Sequence, residues 1–349
     1  MSTRAAKISG PPGLRVVAIG GGTGLSTLLR GLKQRVPHGG GLLAVPARAP
    51  FIADLTAVVT VTDDGGSSGR LRRDFNMLPP GDLRNCMVAL SEDERLISRL
   101  FRHRFRNGGD LEGHNFGNLF IAALTEMTGD FAQAIRLAAE ILATRGHIFP
   151  ATADNVTLAA HMEDGSVVRG ETSITASRQR IVELTLEPAD PLPPPETLEA
   201  IAAADLITIG PGSLFTSIIT NLLVRSIPEA LGEARGIRVF VCNLMTQANE
   251  SLHLTASQHI ARIYEHAGRP IFDYALVNTA PVSEPIRERY AAEGAEVTIA
   301  DIDRIEALGV QCITGNFAED EGDVLRHDPD RVTDALLSLP MRSLAGATR

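Results

Sequence analysis

The sequence contains no tryptophan, only three tyrosines and 4% aromatic residues in all. A wide slot walled by rings, of the kind that grips a flat substrate, has little to be built from. Cysteine is scarce too. Cys86, Cys242 and Cys312 are far apart and odd in number, and no CxxC pair exists. Neither a disulfide framework nor a cysteine-based zinc site is indicated, and a reducing, cytoplasmic compartment is expected. No apolar run reaches the roughly 18 residues that a membrane span needs, and the opening MSTRAAKISGPPG lacks the apolar stretch of a signal peptide. Positive charge is in deficit, with 33 Lys and Arg against 42 Asp and Glu, a net charge of −9. That balance argues against nucleic acid and anionic membranes as partners. A locally positive pocket still admits a small anion.

What is present is ample material for a core, since 44% of the 349 residues are hydrophobic. Residues 1–13 read as a flexible tail and 14–349 as a single α/β domain. A strand, LRVVAI, leads through a glycine turn into the helix pattern GGGTGLSTLLRGLKQR. Residues 37–53 fit neither helix nor strand periodicity and read as a loop. LTAVVTVT is the second strand. Three helix patterns fill about 80–145, with apolar residues at three- and four-residue spacing. From about 147 to 190 the pattern turns antiparallel: VTLAAHM, an Asp-Gly turn, then SVVRGETSI. ADLITIG, IRVFVCN, YALVNTA and AEVTIAD then alternate with helices. The fold class is therefore α/β: a Rossmann-like, mostly parallel sheet with helices on both faces, a helical cap and a small antiparallel hairpin region.

In such sheets ligands bind beyond the carboxyl ends of the strands, where strand order reverses. The strand ends here are small or polar: Gly20-Gly21-Gly22-Thr23-Gly24, Asp63-Asp64-Gly65-Gly66-Ser67-Ser68-Gly69, Gly210-Pro211-Gly212-Ser213, Asn243, and Asn278-Thr279. The first, with Leu25 following, has the form of a phosphate cradle, because glycines let the backbone approach an anion and the helix start offers free N–H groups. The plainer reading is a simple strand–helix turn. A P-loop is excluded because no Gly-Lys-Ser/Thr follows, and Leu25 stands where the dinucleotide fingerprint needs glycine. Gly210 to Ser213 forms a second cradle, or merely a turn whose Ser213 caps the next helix. Asp63 and Asp64 have three roles open to them: holding Mg²⁺ beside a diphosphate, accepting hydrogen bonds from sugar hydroxyls, or acting as a base. The plainer alternative is an Asp-Gly turn with solvated carboxylates. In HNFGNLF, Asn115 is a ligand contact or an N-cap, and Asn118 a ligand contact or an internal brace.

The stretches GGGTGLSTLLRGLK, TVTDDGGSSGRLR, LPPGDLRNCMVALS, GHNFGNLFIAAL, ADLITIGPGSLFTSIITNLLV, VCNLMTQANE and LVNTAPVS resemble the gluconeogenesis factor family, also called the YvcK family. It lies within the wider superfamily of the 2-phospho-L-lactate transferases. The resemblance runs over roughly residues 14–335. It implies binding of a UDP-sugar, chiefly UDP-N-acetylglucosamine, and a role in linking carbon flux to the cell wall and cell shape, acting through a protein partner. It also implies two further site residues, Tyr290 as a ring for uracil and Arg326 as a charge for diphosphate. A homo-oligomer is expected as well. The superfamily's enzymes transfer a phospholactyl group from a nucleotide donor with Mg²⁺, so a transferase with Asp63 and Asp64 as its acidic site is the alternative to a binding regulator. Departures from the family pattern are the long 37–53 loop, Ala248-Asn249 in the MTQ segment, and Pro329 after Asp328 where some relatives carry a phosphorylatable threonine.

Overall fold

In the computed structural model, residues 13–37, 51–92, 96–107, 109–177, 179–320 and 324–346 are described. Nearly all of the expected tail, and residues 38–50 of the expected loop, lie outside them.

The chain opens with β1 (Leu14–Gly20), α1 (Gly22–Lys33) and β2 (Ile52–Val59). Four further helices and a fifth follow: α2 (Gly66–Phe75), α3 (Gly81–Leu90), α4 (Ile97–Arg102), α5 (Phe116–Thr128) and α6 (Phe131–Ile141). Next come β3 (His147–Pro150), β4 (Thr157–Met162), β5 (Val167–Arg169), the short helix α7 (Glu171–Ala176) and β6 (Ile181–Glu187). The second half adds β7 (Leu206–Ile209), β8 (Ile237–Val241), β9 (Tyr274–Asn278) and β10 (Gln311–Gly315). A two-stranded ribbon, β11 (Ala318–Asp320) with β12 (Leu325–His327), precedes the C-terminal helix Pro329–Gly346.

Seven strands form one sheet in the order β10-β9-β8-β7-β1-β2-β3, and every neighbouring pair is parallel. Helices cover both faces of such a sheet, so its central strands are buried on both sides and read as continuous apolar runs. Val16, Ala18 and Ile19 of β1, Leu206 and Ile209 of β7, and Val239 and Val241 of β8 are almost fully buried. Withdrawing each of the Val, Leu and Ile side chains from water contributes about 2 kcal/mol, and the Ala18 methyl less. The chain winds outward from β1 to β3, then crosses back to lay β7 on the other side of β1. The reversal point therefore lies between β1 and β7. β4, β5 and β6 make a separate antiparallel sheet.

Four boundaries differ from the sequence reading, each for a local reason. β2 starts at Ile52, which pairs with Leu14, and ends at Val59 opposite Gly20; beyond it β1 has no residues left to pair with Thr60–Thr62, so the strand stops earlier than LTAVVTVT suggests. His147–Pro150 pairs in parallel with β2 and belongs to the main sheet, not the hairpin. Of SVVRGETSI only Val167–Arg169 is strand, because Gly170 turns the chain at φ +89° and α7 begins. AEVTIAD contributes only an isolated bridge, Val297 to Met245, and leaves Ile299 exposed. The last sheet position goes to β10, an edge strand whose half-exposed residues lack an apolar run.

Candidate functional site

The two glycine turns flank the reversal point and lock together. Gly22 sits at φ +63°, a left-handed conformation that favours glycine. A Cβ on Gly24 would lie 2.7 Å from the Pro211 carbonyl carbon, so only glycine permits this approach of the two loops. Asn243, at the end of β8, braces the second turn: its Oδ1 accepts from Gly212 N–H at 3.1 Å and its Nδ2 donates to the Gly212 carbonyl at 2.6 Å. Asn221 Nδ2 donates to the Gly20 carbonyl at 3.2 Å. Between the loops opens a cleft of about 510 Å³. Gly21, Gly22, Thr23 and Gly24 line it on one side, and Pro211, Gly212, Ser213 and Asn243 on the other.

The two helix starts are not equivalent. α1 begins at Gly21 with no cap from the N-cap residue itself and no acidic residue in its first turn, and the positive end of its helix dipole faces the cleft, with Asp82 from α3 accepting from the Gly22 N–H. After the second turn the chain forms a π-helix, Leu214–Ile219. Ser213 does not cap it. Its hydroxyl accepts from Gln247 Nε2 at 2.9 Å, and the buried carboxylate of Glu250 takes the cap instead, accepting from Phe215 N, Thr216 N and Thr216 Oγ1 at 3.1–3.3 Å. Carboxylates of the protein meet both helix starts: Glu250 takes the N–H groups of Phe215 and Thr216, and Asp82 takes that of Gly22 at the start of α1.

An acidic flank closes the cleft floor. Asp63 faces it, with Oδ1 accepting from Gly65 N at 2.9 Å. Asp82, from the first turn of α3, lies under the glycine turn, accepts from Gly22 N–H and has its carboxyl pushed up to about 6 by burial and then by Asp63. Glu171, at the start of α7, is pushed up to about 9 by burial, then by Asp82 and Asp63. Asp64 points elsewhere: its Oδ1 accepts from Thr172 N at 2.8 Å and Thr172 Oγ1 at 2.6 Å, capping α7. Adjacent residues on extended backbone alternate sides, which separates the two aspartates. A magnesium ion shared by Asp63 and Asp64 does not fit this arrangement, and among the described residues no group of three His, Cys, Asp or Glu gathers around a metal position.

The hydroxyls of the DDGGSSG stretch also turn inward. Ser67 and Ser68 lie in the first turn of α2 and are buried. Ser67 Oγ accepts from Asn115 N at 3.2 Å and bonds His114 Nδ1. Asn118 Nδ2 donates to Ser68 Oγ at 3.3 Å. Asn115 is the N-cap of α5, accepting from Asn118 N. These contacts fasten α2 to α5, and Gly65, Ser67, Ser68 and Asn118 line a smaller side pocket instead of the main cleft. Leu25 is wholly buried, and Gly210 lies behind the second loop at φ +82°.

The ribbon forms the roof. Tyr290 and Arg326, separated from the first glycine turn by most of the chain, both line the cleft. The Tyr290 hydroxyl accepts from Leu325 N–H at 3.2 Å, so it holds the ribbon beside Arg326. His327 Nε2 pairs with the Cys242 carbonyl at 3.1 Å. Burial holds the His327 imidazole down at about 4, so the ring is neutral and its N–H donates there. Sequence reasoning missed Asp82, Asn85, Glu171 and Gln247, all cleft-lining. Only Asp82 and Asn85 carried a signal. Their three-residue spacing at the start of a helix puts both on one face. Glu171 reaches the site from the separate antiparallel sheet region, which no local pattern announces.

Residues 16–318 match the family model described as 2-phospho-L-lactate transferase CofD. The chain is 46% identical over 322 residues to the gluconeogenesis factor of Halalkalibacterium halodurans, covering 92% of this chain and 95% of the relative. It is 45% identical over 327 residues to the gluconeogenesis factor of Bacillus subtilis, covering 93% and 98%. An X-ray structure of a Bacillus halodurans protein superposes with a TM-score of 0.87 at 46% identity, covering 93% of this chain and 100% of that one. With a parallel sheet wound about its glycine turns and matches that span nearly its whole length, the chain belongs to the gluconeogenesis factor family and carries a CofD-type domain.

Proposed function

We propose that this protein binds a UDP-sugar of the UDP-N-acetylglucosamine type in the cleft between β1 and β7, and acts as a regulator that links carbon flux to cell-wall synthesis and cell shape through a protein partner. The observation that carries the reading is the meeting of the glycine turn at the start of α1 with a roof of Tyr290 and Arg326 over one cleft. The helix start suits phosphate oxygens, the Tyr290 ring suits the uracil face, and Asp63 suits sugar hydroxyls as a hydrogen-bond acceptor. The volume, about 510 Å³, lies within the range of small-ligand sites. The name gluconeogenesis factor, borne by the relatives, supports the link to carbon flux.

A second reading has its own support. The matched family model is named for a transferase, and an acidic flank with raised carboxyls is a common mark of catalytic sites. In that reading Asp63, Asp82 and Glu171 serve a group transfer from a nucleotide donor. Titration calorimetry with UDP-N-acetylglucosamine tests the first reading. Saturable heat with a dissociation constant below the millimolar range is expected, and no heat at millimolar ligand overturns it. Release of nucleotide from a nucleotide-activated phospholactate, with deazaflavin and Mg²⁺ present, would establish the second.

A further inference from the structure

Three cavities meet at one side chain. Asn85 lines the main cleft, the smaller side pocket beside α2, and a third cavity of about 240 Å³ next to Thr23 and Arg30. It stands on α3, three residues after Asp82 and on the same face. Another face of that helix is anchored in the core, where Leu83, Cys86 and Met87 are fully buried, so the backbone beneath Asn85 is held rigidly.

Its amide has a fixed orientation. Arg84 Nη2 donates to Asn85 Oδ1 at 2.7 Å. A guanidinium only donates, so the oxygen must be the end that meets it. Burial, and then Arg104, pushes Arg84 down to about 10, which keeps it charged at neutral pH. The Arg84 stem is held as well, since a Cβ on Gly117 of α5 would lie 2.8 Å from Arg84 Cδ. The Nδ2 end of Asn85 is thus turned away from Arg84, and it has no hydrogen-bond partner among the described residues. Other amides around the glycine turns differ. Asn243 commits both ends to Gly212, and Asn221 Nδ2 donates to the Gly20 and Ser217 carbonyls. An amide N–H₂ oriented by a charged neighbour, at the junction of three cavities, is a fixed donor for an acceptor oxygen of a bound molecule.

We propose that Asn85 binds the ligand of the main cleft by donating from Nδ2 to one of its oxygens, and that Arg84 is the positioning residue that holds the amide in that orientation. The inference rests on the nucleotide-sugar reading above. Such a ligand offers three kinds of acceptor: diphosphate oxygens, sugar hydroxyls and the carbonyl of an N-acetyl group.

Calorimetry on the full chain, with UDP, UDP-glucose and UDP-N-acetylglucosamine as probes, tests both parts. Asn85→Ala removes the donor. Asn85→Asp removes it too, but keeps an acceptor for Arg84. Melting temperatures report whether each variant folds. With Asn85→Ala, affinity should fall about tenfold or more if the acceptor is a phosphate oxygen, and about fivefold if it is a sugar oxygen. A loss shared by all three probes assigns the diphosphate. A loss confined to the two sugar nucleotides assigns a hydroxyl, and one confined to UDP-N-acetylglucosamine assigns the acetyl carbonyl. A folded Asn85→Ala or Asn85→Asp that binds all three as the wild type does overturns the proposal and leaves the nucleotide-sugar reading standing. A wild type that binds none of the probes sinks that reading and the proposal with it. Arg84→Lys keeps the charge and shortens the reach to Asn85. It should weaken binding about threefold on its own, and not at all in the Asn85→Ala background. A loss of equal size in both backgrounds, or no loss in either, overturns the positioning role.

Discussion

Glu171→Gln removes one ionisable carboxyl from the cleft floor and should stabilise the protein at neutral pH but not in acid. In the folded chain burial, followed by Asp82 and Asp63, pushes the Glu171 carboxyl from its ordinary 4.5 up to about 9. The folded state therefore holds a proton that the unfolded chain releases above about pH 4.5. Below that pH both states are protonated and the stability linked to this group is fully present. It is lost progressively as pH rises towards 9, at about 1.4 kcal/mol per pH unit. Between pH 5 and 7.5 the full loss would be about 3 kcal/mol. Asp82 shares the same repulsion and is itself raised to about 6, and the cleft admits water, so about half of that, ~1.5 kcal/mol, is expected. The neutral glutamine keeps an acceptor for Thr62 Oγ1, which bonds Glu171 Oε2 at 3.4 Å. Urea unfolding of wild type and variant at pH 5 and 7.5 reads the difference. Equal stabilisation at the two pH values would show that Glu171 is ionised in the folded protein, and the account of the acidic flank would fail.

Two other changes probe the loops and the roof. Gly24→Val puts a Cβ against the Pro211 carbonyl and should drive the glycine turns apart. Sugar-nucleotide heat should vanish in calorimetry, with a lowered melting temperature, and retained affinity would mean the two turns need not meet. Tyr290→Phe keeps the ring and removes the acceptor for Leu325 N–H. If the hydroxyl holds the ribbon in place, calorimetry should show affinity falling about fivefold, in line with one lost hydrogen bond of about 1 kcal/mol; unchanged affinity would leave only the ring as its contribution.

Much of the architecture was legible because it follows short-range rules. β1 is apolar and buried but for Arg15, β7 is wholly buried with Thr208 its one polar residue, α5 stops at Gly129 in the left-handed conformation, and α6 starts at Asp130, which accepts from Gln133 N. Glycines mark the turns at the strand ends. Legibility failed where one motif had two directions to face. Asp63 and Asp64 read alike as letters, yet one meets the cleft and the other caps α7. Ser67 and Ser68 look like ligand hydroxyls and are instead the fastening of α2 to α5. Ser213 looks like a cap, and Glu250, thirty-seven residues on, does the capping.

The sequence alone determined the alternation of strand and helix, the class of fold, the glycine turns and the family, because periodicity, turn chemistry and long motifs reside in contiguous residues. Only the tertiary structure decided which carboxylates gather beneath the glycine turn, that Glu250 caps the second helix start, and that Tyr290 and Arg326 reach the same cleft. Those outcomes depend on contacts between residues up to three hundred positions apart, and a contact between distant segments leaves no trace in the local pattern of either one.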